Sequence, residues 1–165
     1  MKLNIRHEYD CTPAQFWTMY WDDEFAAMLQ EGSTVQRDIV DERTEGALSV
    51  QRIRFTPDQE LPTAVASIIG SKKLVYEQEN KYDAEKGILH WEVVPSFLPG
   101  KLTAAGTVRV EDLGDGRCAQ IIDGDIKVNV SFIGGRIEKA VVAEVEKSWA
   151  KTAETGREYL RQRTA

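Results

Sequence analysis

The side chains best placed for polar chemistry stand near the start of the chain. Residues 2–9 alternate, with Leu3, Ile5, His7 and Tyr9 on one face and Lys2, Asn4, Arg6 and Glu8 on the other, the pattern of a half-buried strand. His7 and Tyr9 therefore point where the apolar residues point. One reading makes them a satisfied buried histidine and a core tyrosine whose hydroxyl finds a partner. The sharper one makes them polar anchors for a ligand head group, or the acid and base of a reaction. The second histidine, His90, sits opposite in parity to Leu89, Trp91 and Val93 and reads as solvated or cross-strand paired. Two histidines on separate strands, without a nearby cysteine pair, have no metal-ligand spacing. No serine, cysteine or threonine stands in a nucleophile motif. Among the carboxylates, Asp22-Asp23-Glu24 fits the first turn of a helix, and Asp123 and Asp125 fall on an outward strand face.

A further polar group lies in residues 47–56. Leu48 and Val50 share a face that would next present Arg52 and Arg54, whereas Ile53 and Phe55 take the other. A bulge near Gln51 would keep Val50 inside and send the arginines outward. Without one, Arg52 enters the interior as a cation that needs a carboxylate from the protein or from a ligand. Tyr76 and Gln78 share the parity of Leu74, as ordinary half-buried strand residues or as added polar contacts.

The elements that must position these residues follow from local signals. Thr12-Pro13-Ala14-Gln15 carries a capping box with proline at the first helical position, followed by Phe16, Trp17 and Tyr20. Asp22 restarts a second short helix with Phe25, Met28 and Leu29, closed by Gly32. Three strand pairs follow: 34–41 with 47–56, 74–82 with 88–94, and 101–112 with 117–130, the last joined at an Asp-Gly turn signal. Residues 57–72 interrupt them with one or two helical turns, and residues 95–100 with a loop tipped by Phe97 and Leu98. A long helix from about Arg136 to Arg163 places Ile137, Val141, Val145, Trp149, Thr152 and Tyr159 or Leu160 at spacings of three and four.

The 165 residues carry 27 acids against 21 bases, a net charge of −6, which argues against charge-driven binding to nucleic acid or anionic membrane. No apolar stretch approaches the ~20 residues needed to span a bilayer. The N-terminus has no apolar run of a signal peptide. Cys11 and Cys118 are too few and too distant in sequence for a disulfide framework, so a reduced, cytoplasmic, single-domain protein of 1–165 is expected, with no cofactor.

The order β-α-α-β6-α resembles the helix-grip fold of the START-like (SRPBCC) superfamily, which includes lipid-transfer domains and polyketide cyclases. Two stretches strengthen the resemblance: His7 to Trp17 after the first strand, and Phe132-Ile133-Gly134-Gly135-Arg136-Ile137-Glu138 opening the last helix. Both are similar to an uncharacterised bacterial branch of that superfamily. The resemblance implies an α+β domain in which a curved antiparallel seven-stranded sheet wraps a long C-terminal helix around an apolar cavity. Its expected walls include His7, Tyr9, Val50, Arg52, Tyr76 and Trp91. Ala104, Gly106 and Ile122 would complete the sheet side, and Val141, Val145 and Trp149 the helix side. Small residues at Ala104, Gly106 and Gly124 either admit the helix closely or leave a hollow. Ile68, Phe97 and Leu98 would ring the mouth, gating entry or touching a membrane transiently without stable insertion. Gly134-Gly135 offers backbone donors at a helix start, or simply a tight turn.

The leading expectation is a module that binds or transports a hydrophobic small molecule or lipid. Two alternatives stand beside it: an enzyme of the polyketide cyclase/dehydratase type, relying on His7 or Tyr9, and a co-chaperone-like or stress-adaptor domain using the acidic exterior. The sequence does not name the ligand or the oligomeric state.

Overall fold

Eleven elements follow one another in the computed structural model, which describes residues 1–95, 98 and 100–164, the side chains of Pro95 and Thr164 excepted. They are β1 (Lys2–Tyr9), α1 (Pro13–Tyr20), α2 (Asp23–Gln30), β2 (Val35–Glu45), β3 (Leu48–Pro57), α3 (Thr63–Ile69), β4 (Tyr76–Asp83), β5 (Ile88–Pro95), β6 (Leu102–Gly114), β7 (Arg117–Val128) and α4 (Gly134–Thr164). The capping box at α1 is formed: the Gln15 backbone N–H donates to Thr12 Oγ1 at 3.2 Å and the Thr12 N–H donates to Gln15 Oε1 at 2.8 Å. Asp22 caps α2 through the Glu24 N–H at 3.1 Å.

The strands form one antiparallel sheet in the order β1-β7-β6-β5-β4-β3-β2. Its concave face holds a long helix, as the element order predicts. At 31 residues and 1.5 Å per residue, α4 is roughly 46 Å long. Gly134 opens it close against β7, since a Cβ there would lie 2.4 Å from the Val128 carbonyl oxygen. Gly134 is thus explained by a tight strand-to-helix turn, whereas a Cβ on Gly135 would meet nothing within 4 Å.

Two apolar clusters flank α4. The larger joins Leu3, Ile5, Leu89, Trp91, Val108, Ile122 and Ile126 of the sheet to Ile137 and Val142 of the helix. The smaller closes the far end with Tyr9, Phe16, Met19, Phe25, Ala153 and Tyr159. Gly156 lets α4 approach there: a Cβ would stand 3.0 Å from the Tyr9 ring. The Tyr159 hydroxyl donates to Asp22, and Arg163 pairs with Glu24, tying α4 to α2. The folded surface is 9,813 Å², against roughly 8,200 Å² expected for a compact chain of this size.

No helix among the described residues is long and apolar enough to cross a membrane. No group of three or more potential metal ligands occurs among them either.

Candidate functional site

The concave face divides into a packed half and an open half. On β1, β6 and β7 the inward residues are sealed: Leu3 is 2% exposed, Val108 and Ile122 0%, Ile126 1%. The close neighbours of α4 are β7, β1 and α2. On β4, by contrast, Gln78 and Tyr82 share that inner face by register with Val93 and Leu89, and Tyr76 follows them in alternation, yet all three stay half-buried. Val141, Val145 and Trp149 of α4 are likewise half-buried although they pack against the larger cluster. These half-buried residues mark a candidate groove between α4 and the β4 side of the sheet.

Trp91 explains why the other half is full. A Cβ on Gly106 would lie 2.7 Å from its ring, and one on Gly124 2.4 Å, so the indole lies across both glycines. The small residues neither admit the helix nor leave a hollow; a neighbouring strand fills them. Ala104, at 5% exposure, joins the same packed floor.

Val50 and Arg52 are corrections. β3 is regular, and its inward residues are Ser49, Gln51, Ile53 and Phe55, paired with Tyr82, Asn80, Gln78 and Tyr76. The irregularity falls instead in β2, between Ile39 and Asp41. Val50 and Arg52 therefore face outward, opposite Lys81 and Glu79. Arg52 Nε pairs with Glu77 at 2.8 Å, and Arg54 with the same carboxylate at 2.9 Å. Val50 is buried beneath this lattice of long charged side chains, whose stems cover apolar surface.

Tyr9 lies away from the groove, in the smaller cluster. Its ring meets Phe16 edge-on at 5.2 Å and Arg157 at 5.6 Å, and its hydroxyl donates to Gln120 Oε1 at 3.4 Å. Burial pushes that hydroxyl's pKa well above its ordinary value. His7, paired in register with Gln120, is half-buried, and among the described residues neither its Nε2 nor the Gln120 Nε2 has a hydrogen-bond partner. Desolvation, with the Arg157 charge adding to it, lowers the His7 pKa, so the ring is neutral at pH 7. At the expected mouth, Ile68 is exposed on α3, but Leu98 is turned into the core at 9% exposure, not displayed at a tip. Phe97 lies outside the described residues.

Sequence reasoning missed Arg37, Tyr20, Trp21 and Tyr82. Arg37 lies on the inner face of β2, opposite Phe55, and its Cζ stands 5.5 Å over the Phe55 ring. Its parity with Val35 and Ile39 was the available signal: one charge on an otherwise apolar face. Tyr20, Trp17 and Trp21 gather around the end of α1, with Trp17 4.7 Å and Trp21 5.3 Å from Tyr82. No local pattern announces that cluster, because Tyr82 comes from a strand far downstream of α1. Two clefts of about 430 Å³ each open along this side. One is bounded by Trp21, Arg43, Ser49, Val50, Gln51 and Tyr82, so Val50 does border a cleft. The other is bounded by Gln30, Ser33, Arg37, Asp38 and Asp58, and neither includes a described residue of α4.

Known proteins share this architecture. The Zhui aromatase/cyclase from Streptomyces sp. R1128 superposes with a TM-score of 0.69 at 10% identity, over 100% of this chain and 96% of that one. Norcoclaurine synthase from Thalictrum flavum, solved with dopamine and hydroxybenzaldehyde, gives 0.68 at 15% identity over 98% and 87%. A START superfamily protein from Mycobacterium smegmatis gives 0.64 at 16% identity over 96% and 98%. At these identities the likeness establishes a START-like helix-grip fold. No curated protein sequence matches the chain. A family model described as a protein of unknown function, DUF2505, matches residues 4–160.

Proposed function

The chain belongs to the DUF2505 family, and from its START-like fold we propose that it binds or carries a hydrophobic small molecule or lipid in the groove between α4 and the β4 side of the sheet. The observation that carries this reading is the uneven burial of the concave face. Tyr76, Tyr82, Val141, Val145 and Trp149 are apolar or aromatic, directed inward, and only half-buried. A guest lying there would bury them together with its own surface. Each 100 Å² of apolar area removed from water contributes about 2.5 kcal/mol, set against the lost freedom of the guest.

Polar anchoring is available on the floor, where Gln78 donates to Asn80 at 2.8 Å and Arg37 and Tyr76 stand on the same inner face. These groups would orient a guest more than hold it. No observation favours the cyclase or adaptor alternatives over binding. The test is native mass spectrometry of protein purified from its own host, before and after extraction with organic solvent. An extractable adduct of lipid or small-molecule mass is expected. Protein that carries none, and that takes up no alkyl or aromatic amphiphile offered to it, would overturn the reading.

A further inference from the structure

We propose that the guest is an amphiphile with an anionic group, a carboxylate or a phosphate, seated on the guanidinium of Arg37. This rests on the groove-binding reading and specifies the ligand class of that groove.

The argument begins with what Arg37 lacks. Among the four arginines of β2 and β3, Arg43 pairs with Asp41, Glu45 and Glu79, and Arg52 and Arg54 with Glu77. All three of these face outward. Arg37 faces inward, is half-buried, and has no ion pair among the described residues; its Nε is buried without any hydrogen-bond partner. Asp38 and Asp58 border the same cleft, but neither forms an ion pair with the guanidinium. An inward guanidinium kept from carboxylates is costly in the empty protein. Its planar fork of donors matches a carboxylate or phosphate in two parallel hydrogen bonds.

What surrounds the charge favours an anion with an apolar body. The Phe55 ring lies beneath the guanidinium at 5.5 Å and stacks on Tyr76 at 4.9 Å and 19°. Arg37, Phe55 and Tyr76 thus form one cross-strand row of the concave face. Among the described residues neither the Tyr76 nor the Tyr20 hydroxyl has a hydrogen-bond partner. Burial pushes the Tyr76 pKa up to about 12 and raises that of Tyr20, with the Arg37 charge opposing both shifts. Both hydroxyls therefore remain protonated donors at neutral pH. A guanidinium without an ion pair and a phenolic hydroxyl beside it on an aromatic wall offer charge and donors that an anionic group would satisfy. A cationic or purely hydrocarbon guest would leave them unpaired.

Competition against an uncharged fluorescent probe, N-phenyl-1-naphthylamine, tests the assignment with three ligands of one chain length: dodecanoate, dodecyl phosphate and dodecanol. At least one anion is expected to displace the probe at a tenfold or greater lower concentration than dodecanol, and the tighter of the two identifies the anion. Arg37→Met, which keeps a flexible apolar stem over Phe55, should abolish that preference and leave dodecanol within about twofold. Tyr76→Phe is the second variant, read in the same way, and should weaken the anion by about threefold while sparing dodecanol. Dodecanol bound as tightly as both anions by the unmodified protein overturns the anion seat and leaves the groove standing. An anion preference that survives both variants also overturns it, by placing the anion elsewhere. Failure of the probe and all three ligands to bind overturns the seat and the groove together.

Discussion

The Trp91 indole occupies the place that a side chain on Gly124 would need. A Cβ at Gly124 would fall 2.4 Å from Cζ2 of that ring and 2.9 Å from the Ala105 carbonyl oxygen, and the indole itself is 94% removed from solvent. Gly124→Ala should therefore destabilise by about 1–3 kcal/mol through overpacking, a fall of roughly 3–10 °C in Tm. Trp91→Phe, which withdraws the clashing ring, should recover part of that loss in the double variant. Thermal melts of the four proteins measure the coupling, and strictly additive effects would place the strain elsewhere.

Thr12 governs how α1 begins, and α1 ends in the aromatic group of Tyr20 and Trp21. Thr12→Ala removes one half of a reciprocal pair of hydrogen bonds and should cost about 1 kcal/mol. Thr12→Ser should keep most of that stability. Urea titrations with an unchanged slope would show that the loss is one of stability and not of native compactness.

Cys11 and Cys118 are both buried, with sulfur atoms 3.8 Å apart. The hydrogen bond from Cys118 lowers the Cys11 pKa, while that same bond raises the Cys118 pKa and burial adds to it. Since the thiolate is the reacting form, iodoacetamide at pH 8 should label Cys11 first. Both should react far more slowly than in urea. Peptide mass mapping over time distinguishes the two sites, and equal rates in the folded protein would contradict the asymmetry.

His7 supplies a pH dependence of defined sign. Burial, followed by the Arg157 charge, lowers its pKa from 6.5. The unfolded chain therefore binds the proton more readily, and stability is lost as pH falls from about 6.5 through the lowered value. Above that window the histidine is neutral in both states and contributes no slope. Replacing it by glutamine should flatten this part of the Tm-against-pH curve. A curve unchanged by His7→Gln would assign the slope to other groups.

What the sequence disclosed depended on how far apart the determining residues lie. The capping box at Thr12 and Gln15 and the alternation of Leu3 and Ile5 are settled within a few residues, and both appear in the structure as expected. Val50 misled for a non-local reason. Its own strand has no bulge; the irregularity is in β2, and the Glu77 that holds Arg52 comes from β4. Gly106 and Gly124 could be recognised as small but not as filled, because the filling ring arrives from β5. Arg37 was legible in principle, as a lone charge in the Val35-Ile39 alternation. That it forms no ion pair among the described residues became visible only when the pairing of Arg43, Arg52 and Arg54 was laid out in space.

The division of the concave face has a consequence for how such a chain can change over generations. Substitutions under α4 on β6 and β7 meet a close-packed interior and are punished through folding. Positions on the open side, such as Tyr76, Gln78 and Tyr82, are only half-buried, so substitutions there disturb less close packing. The lining of that side can therefore change over generations while the scaffold stays fixed.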